Sequence, residues 1–135
     1  MSQPRYRKNV GSVSNLHYHF VWCPKFRRPV LVDAVAQKLA ALLAEIASAP
    51  DAEIEALDVM PDHVHLFVSA PPTEAPQHLA NQFKGVTSRR LRQQFPALRS
   101  RLPSLWSRSY YVASSGDSTA ISRAVSDFIA AQPRH

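Results

Sequence analysis

Hydrophobic and polar residues alternate near the start of the chain, where residues 12–22 read SVSNLHYHFVW. One side of an extended chain carries four apolar side chains: Leu16, Tyr18, Phe20 and Trp22. This period of two predicts a β-strand with one buried face. Pro24 and Pro29 then interrupt the pattern around a basic turn at residues 25–28,.

Two later stretches have the spacing of an amphipathic helix. The first begins at Asp33, which can cap it, and runs to about Ala47,. Its apolar stripe is Val35, Leu39, Leu42, Leu43 and Ile46. The second runs from about Glu74 to Gln94, and its apolar positions are Leu79, Phe83, Val86 and Leu91.

Strand patterns return at residues 53–60 and 63–70, and the turn at Pro61–Asp62 between them predicts a hairpin,. In the first strand two sets of positions alternate: Ile54, Ala56 and Asp58 against Glu55, Leu57 and Val59. Residues 105–114 are predicted to form a fourth strand after a loop marked by two prolines,.

The final element is a helix that Asp117 or Ser118 can cap and that runs to about Gln132,. The first six elements match the βαββαβ ferredoxin-like arrangement, an α+β fold with two helices on one face of an antiparallel sheet. The extra C-terminal helix, residues 117–132, then packs on the open sheet face or on another subunit. We expect one domain over residues 1–135, with a basic arm at residues 1–11.

Composition narrows the class of protein. The chain has 135 residues, 45% of them hydrophobic, and Cys23 is its single cysteine, which excludes an internal disulfide framework and a cysteine-based zinc cluster,. The polar, basic N-terminus does not resemble a secretory signal, and no apolar run is long enough for a membrane span. We therefore expect a soluble cytoplasmic protein.

Positive charge is concentrated in one part of the chain. The net charge is +6, and the stretch from Asn81 to Tyr110 contains no acidic residue. Its bases are Lys84, Arg89, Arg90, Arg92, Arg99, Arg101 and Arg108. A solvated helix face is the simpler explanation, but seven bases without an acid favour a polyanionic partner such as nucleic acid.

The segment MPDHVHLFV, residues 60–68, carries the most specific local signal. His63 and His65 lie on one side of the predicted strand, with side chains about 6–7 Å apart, so that both can bind one metal ion. Two surface histidines that happen to alternate are the alternative explanation. His17 and His19 have the same spacing, and a structural or DNA-contacting role is favoured for them over metal binding.

The final helix presents four residues on one face: Ile121, Val125, Phe128 and Gln132,. An amphipathic helix packed on the body of the protein explains this spacing. A buried glutamine would also offer an amide oxygen that could complete a metal site.

Together these segments resemble the small single-tyrosine transposases of the HUH class, the TnpA-type enzymes of single-stranded-DNA insertion sequences. The resemblance rests on five segments in the family's order and spacing: YHFVWCPKFRRPVL (18–31), MPDHVHLFV (60–68), FKGVTSRRLRQQFP (83–96), LWSRSYYVAS (105–114) and FIAAQ (128–132).

The resemblance implies a function and a site. His63 and His65 would bind Mg²⁺ or Mn²⁺, with Gln132 as a third ligand. A tyrosine on the final helix would attack single-stranded DNA and form a 5′-phosphotyrosine link. The protein would be a homodimer that can pass this helix to the partner's site, and it would bind imperfect DNA hairpins. The residues expected to contact DNA are Lys25, Arg27, Arg28, Lys84, Arg89, Arg90 and Arg92.

One position departs from the family pattern, because Phe128 stands where these transposases have tyrosine. A phenyl ring has no oxygen to attack phosphorus, so the chain is expected to bind DNA without cleaving it. A deliberate, volume-preserving substitution is favoured over a natural inactive copy, because every other motif is intact. Tyr110 or Tyr111 as the nucleophile is a third, disfavoured explanation, since both belong to the predicted fourth strand.

Two other functions stay open at this point. The first is a non-catalytic nucleic-acid-binding regulator derived from a transposase. The second is a small metal-storage or metal-sensing protein, against which the arginine-rich block argues. The ligand types would also let zinc, nickel or cobalt occupy the site in a purified sample.

Overall fold

A computed structural model describes residues 15–114 and 118–134 of the chain. Within these ranges the elements are β1 (Leu16–Trp22), α1 (Asp33–Ser48), β2 (Glu53–Met60), β3 (His63–Ala70), α2 (Pro76–Gln94), α3 (Pro96–Arg101), β4 (Tyr111–Ser114) and α4 (Ser118–Ala130). A short 3-10 turn at Lys25–Arg27 follows β1. The predicted basic arm at residues 1–11 and the candidate cap Asp117 lie outside the described residues.

The four described strands form one antiparallel sheet in the order β2-β3-β1-β4. The central strands β1 and β3 pair along their whole length, with Phe20 opposite Leu66 and Trp22 opposite Val64. The hairpin strands β2 and β3 are neighbours, and β4 pairs with β1 on the other side of the sheet, as in the βαββαβ arrangement. The predicted ferredoxin-like α+β fold is therefore confirmed.

One face of the sheet forms the core of the protein. Phe20, Trp22, Val64, Leu66 and Val68 are all 0% exposed on this face. The helices α1 and α2 cover it with the buried side chains Leu39, Leu42, Leu43, Leu79, Phe83 and Leu91. The apolar faces that the strand and helix periods predict therefore pack against each other in one hydrophobic core.

The alternation predicted for β2 is interrupted in the structure. The register of β2 against β3 shifts between Ile54 and Ala56, which is a β-bulge,. Because the bulge adds a residue, Ile54 packs against the core on the same side as Leu57 and Val59. The sequence pattern had placed Ile54 opposite those two residues.

The fourth strand is shorter than the prediction of residues 105–114. Only Tyr111–Ser114 pair with β1, and Trp106 forms an isolated bridge with Pro24. The intervening carbonyls of Ser107, Arg108 and Ser109 all accept hydrogen bonds from one ammonium group. Because these three carbonyls accept from the same ammonium group, they cannot form the alternating hydrogen bonds of a β-ladder. The strand therefore begins only at Tyr111,.

Two helix starts also differ from the sequence interpretation. Asp33 does not cap α1 with its side chain; Val32 precedes the helix without a side-chain cap. Residues 96–101, predicted as loop, form the short helix α3, whose start at Pro96 suits a proline,.

The C-terminal helix α4 lies against the open sheet face of its own chain. Its residue Val125 is 6% exposed. Of the two positions foreseen for the extra helix, the described structure shows the one on the open face. No described helix combines the length and the apolar character that a membrane crossing requires.

Candidate functional site

Histidines line the open face at the centre of the sheet. The ring centroids of His63 and His65 are 4.9 Å apart, and the rings are nearly perpendicular. His19 of β1 stacks beside His65, and its Nε2 lies 3.2 Å from Nδ1 of His65. Phe67 continues the stack, with its centroid 4.1 Å from that of His19. The strand register thus assembles three imidazoles, of which the sequence pattern singled out two.

Asp62 fixes the orientation of His63. Its Oδ1 lies 2.8 Å from Nδ1 of His63, and its Oδ2 accepts a hydrogen bond of 2.9 Å from Nη2 of Arg27. Burial by itself opposes ionisation of Asp62, but these hydrogen bonds and the neighbouring positive charges outweigh it and hold its pKa below the ordinary value,. With Nδ1 engaged by Asp62, His63 has Nε2 left for a ligand.

Burial disfavours the charged form of the other two imidazoles,. Burial, together with the neighbouring His65, lowers the pKa of His19 to about 4. Burial and the neighbouring His63 also lower the pKa of His65. Neutral imidazole is the form that coordinates metal ions, so this environment favours metal binding over protonation near pH 7.

Gln132, the expected third ligand, is buried beside the loop at residues 107–109. Its Oε1 accepts hydrogen bonds from Ser107 Oγ at 2.9 Å and Ser109 Oγ at 3.4 Å, while its Nε2 donates to the carbonyl of Phe128 at 3.2 Å. The amide oxygen is therefore oriented by these hydroxyls, toward the loop at residues 107–109. In the described part of the chain, no three His, Cys, Asp or Glu side chains form a metal cluster. The expected donor set of two imidazoles and an amide oxygen stays a prediction.

Phe128 lies on the same side of the sheet as the histidines. Its ring centroid is 6.2 Å from that of Tyr111, whose centroid is 6.3 Å from that of His19. Between α4 and the sheet lies an open cavity of about 360 Å³. Its lining residues are His19, Asp58, His65, Phe67, Ser122, Val125 and Ser126. The helix that carries position 128 thus covers the imidazole face.

Two of the expected DNA-contacting bases are turned inward. Lys84 donates to the carbonyls of Ser107, Arg108 and Ser109, at 2.8, 3.1 and 3.3 Å, and burial lowers its pKa. Arg27, with 16% of its side chain exposed, contacts Asp62 and also donates to the carbonyl of Ile129 at 3.3 Å. In this structure both side chains therefore donate their hydrogen bonds to groups of the protein itself.

The other basic residues expected at DNA have different surroundings. Arg28 and Arg89 are exposed, and Arg90 is partly exposed. The ammonium of Lys25 lies over the Phe26 ring, and Arg92 donates to the carbonyl of Pro103 at 3.4 Å. Arg28, Arg89 and Arg90 are therefore the members of the predicted set best placed for an external anion.

Sequence reasoning did not identify the groups that orient the site. The pattern predicts Asp62 only as part of a turn, although its place directly before His63 puts a carboxylate near that ring. Ser107 and Ser109 were read as strand positions. Nothing in one sequence indicates that they contact Gln132, because the two segments are far apart along the chain.

Comparisons with known proteins show the family to which the chain belongs. The family model described as "Transposase IS200 like" matches residues 12–132. The ISDra2 transposase TnpA of Deinococcus radiodurans is 38% identical over 115 residues, which are 84% of this chain and 82% of that protein. The IS200 transposase of Salmonella typhimurium is 28% identical over 108 residues, covering 78% of this chain and 71% of the relative.

Solved structures show the same likeness. A crystal structure from Deinococcus radiodurans R1, described as that of a transposase, matches with a TM-score of 0.84 at 34% identity and covers 100% of both chains. A REP-associated tyrosine transposase, solved with a REP hairpin, has a TM-score of 0.58 at 16% identity, over 93% of this chain and 68% of that one, and supports the fold alone. On the family match and the Deinococcus relative, this chain belongs to the IS200-like transposases.

Proposed function

We propose that this transposase binds hairpin ends of single-stranded DNA and that its fold is built for cutting and rejoining them through a 5′-phosphotyrosine link. The observation that carries the proposal is the placement of α4, which lies over the imidazole face with Phe128 near Tyr111 and with Ser122 and Ser126 lining a cavity shared with His65. A nucleophile position and a metal site that can polarise a phosphate are the parts that covalent phosphoryl transfer needs on one surface.

The chemistry requires an oxygen at position 128. A tyrosine oxygen there would bond to phosphorus while the bond from phosphorus to the 3′ oxygen breaks, which gives a phosphotyrosine and a free 3′-hydroxyl. The ester conserves the phosphodiester bond, so a second strand's hydroxyl can reverse the step without another energy source. Phe128 has no such oxygen, and the chain as written should bind DNA and leave it intact.

Transposases of this family generally depend on a divalent metal, and the residues here fit one. His63 and His65 would hold it, with Asp62 orienting His63 and with Gln132 as the third ligand once its oxygen leaves Ser107. When bound, Mg²⁺ or Mn²⁺ would polarise the scissile phosphate. Imidazole ligands admit other metals, while the amide oxygen suits Mg²⁺ and Mn²⁺.

The DNA partner is proposed from the basic surface and from one relative. The REP-associated transposase was solved with a REP hairpin, and this chain presents Arg28, Arg89 and Arg90 to solvent. Phosphate contacts from these arginines would position a hairpin without reading its sequence. The homodimer, the exchange of α4 between subunits and the cytoplasmic location stay predictions.

Restoring the nucleophile tests this function. Phe128→Tyr should give a covalent protein–DNA adduct on denaturing gels when the protein meets Mn²⁺ and a pool of oligonucleotides with imperfect hairpins and randomised flanks. The unaltered chain should give none. In the Phe128→Tyr background, His63→Ala and His65→Ala are the matched controls, and each should reduce the adduct at least about a hundredfold, as expected for loss of a metal ligand.

The regulator is the second candidate, and Phe128 itself favours it, because a chain without a nucleophile can still bind DNA. It predicts no adduct after Phe128→Tyr, together with hairpin binding that is unchanged by His63→Ala and His65→Ala. That pair of results would replace the transposase reaction with a purely binding role.

A further inference from the structure

Arg27 occupies an unusual backbone position. It lies in the 3-10 turn after β1, where Phe26 and Arg27 have φ values of 61° and 53°. Residues with side chains rarely adopt this left-handed conformation, and it persists where surrounding contacts impose it. Here the amide of Arg27 donates to the carbonyl of Pro24 at 2.8 Å, and the amide of Lys25 donates to that of Leu105 at 2.8 Å.

The turn directs the Arg27 guanidinium toward the imidazole face. Nε and Nη2 donate to Oδ2 of Asp62, at 3.3 and 2.9 Å, so one carboxylate oxygen receives both. The other oxygen, Oδ1, lies 2.8 Å from Nδ1 of His63. Because both oxygens are engaged, the carboxylate cannot rotate freely, and the ring of His63 is fixed through it.

The remaining arm of the same guanidinium contacts the C-terminal helix. Nη1 donates to the carbonyl of Ile129 at 3.3 Å, and that carbonyl also accepts the amide of Gln132 at 3.2 Å. Ile129 directly follows Phe128, the nucleophile position. The planar side chain of Arg27 thus contacts both Asp62, the partner of His63, and the backbone beside position 128. A lysine ammonium could not hold both contacts with the same fixed geometry.

We propose that Arg27 is a positioning residue that sets the distance between the nucleophile helix and the His63 side of the metal site, and that it does not contact DNA. This inference rests on the proposed function and replaces the DNA-binding role expected for Arg27 from the sequence. Docking of α4 and orientation of His63 are then coupled, because the same guanidinium donates to the Ile129 carbonyl of α4 and to Asp62, the hydrogen-bond partner of His63,.

Four measurements on the Arg27→Gln variant test this role. Mn²⁺ affinity, measured by calorimetry with Mn²⁺ alone, should fall about tenfold or more, as for loss of an outer-shell partner. The ¹⁵N shifts of His63 should show a mixture of tautomers instead of one. Hydrogen exchange of the Gln132 amide should be faster. Hairpin affinity and its salt dependence should stay unchanged.

Arg28→Gln is the matched control, since Arg28 is the exposed neighbour in the same turn. It should lower the salt dependence of hairpin binding by about 0.7 in the log–log slope, as expected for one lost phosphate contact on a single strand. It should leave the Mn²⁺ affinity and the His63 tautomer unchanged. If Arg27→Gln gave this result instead, Arg27 would be a phosphate contact and the proposal would be wrong.

Asp62→Asn separates positioning from general damage to the fold. Its effect on Mn²⁺ affinity should not add to that of Arg27→Gln, because both act through one contact; additive losses would contradict the proposal. Should Arg27→Gln fail to fold, Arg27→Lys keeps the charge without the planar fork and should weaken Mn²⁺ binding while preserving hairpin binding. Unaltered protein that binds no Mn²⁺ would refute the proposed metal site itself, whereas normal Mn²⁺ binding by every variant would refute only the role of Arg27.

Discussion

The two faces of the central sheet come from alternate residues of the same strands and serve different purposes. On β3 the core face consists of Val64, Leu66 and Val68, all 0% exposed. The open face of the same strand carries two histidines and Phe67, which is 37% exposed. The pattern of apolar residues in the sequence is enough to predict the core face, because the hydrophobic effect is non-directional and depends little on which side chains cover that face. The second face depends on individual hydrogen bonds and on one helix.

Adjacent residues on β3 give the sharpest test of this difference. Leu66→Ala should lower the free energy of unfolding by about 2–5 kcal/mol, because it leaves a cavity in the core. Phe67→Ala should cost about 1 kcal/mol, because the ring is only partly buried. Urea denaturation measures both. Equal losses would mean that the open face contributes as much to stability as the core.

The Cys23 thiol tests where the open face ends. Although its position continues the open-face alternation of β1, Cys23 is 0% exposed, and its carbonyl accepts the amide of Ser107 at 2.9 Å. Burial raises the pKa of Cys23 to about 11, so iodoacetamide at pH 8 should react about a hundredfold more slowly than with a free thiol. A variant with Cys23→Ala and Ser126→Cys should react rapidly, because position 126 of α4 is exposed. Fast labelling of Cys23 in the folded protein would show that the open face is accessible to solvent as far as the end of β1.

Lys84 tests whether a base predicted for DNA stabilises the protein instead. Lys84→Met should cost about 1–2 kcal/mol, because the carbonyls of Ser107, Arg108 and Ser109 lose their shared donor,. Arg89→Gln, on the exposed side of the same helix, should leave the urea midpoint unchanged. If the two variants were equally stable, Lys84 would be free to bind phosphate.

The smallest effect concerns the exposed arginines. Arg89→Gln should reduce the salt dependence of hairpin binding by about 0.7 in the log–log slope, the value for one phosphate contact on a single strand. Binding titrations between low and moderate salt give this slope directly. An unchanged slope would place the DNA on another surface.

The sequence was sufficient for most of the fold because hydrophobic periodicity encodes which side of each element is buried. It predicted β1, the β2–β3 hairpin and the two helices of the core. It failed where polar backbone contacts decide the structure, as in the late start of β4, where Lys84 gathers the carbonyls of the preceding loop.

For the site, the sequence identified side chains but not what they contact. The spacing of His63 and His65 was readable, since residues two apart on a strand share a face. The inward orientation of Arg27 and Lys84 could not be predicted, because a sequence does not show whether a basic side chain faces a phosphate or a carbonyl group. The role of Phe128 as the nucleophile position came from family resemblance and awaits the adduct experiment.

The bulge at the start of β2 has a consequence for behaviour in concentrated solution. As an outer strand, β2 has one side without a neighbouring strand in the described sheet. A straight outer strand can pair with a strand of another molecule and so promote aggregation, whereas the extra residue of a bulge twists the edge and opposes such pairing,. Deleting Glu55 would therefore make the ladder regular and also give the protein a tendency to precipitate,.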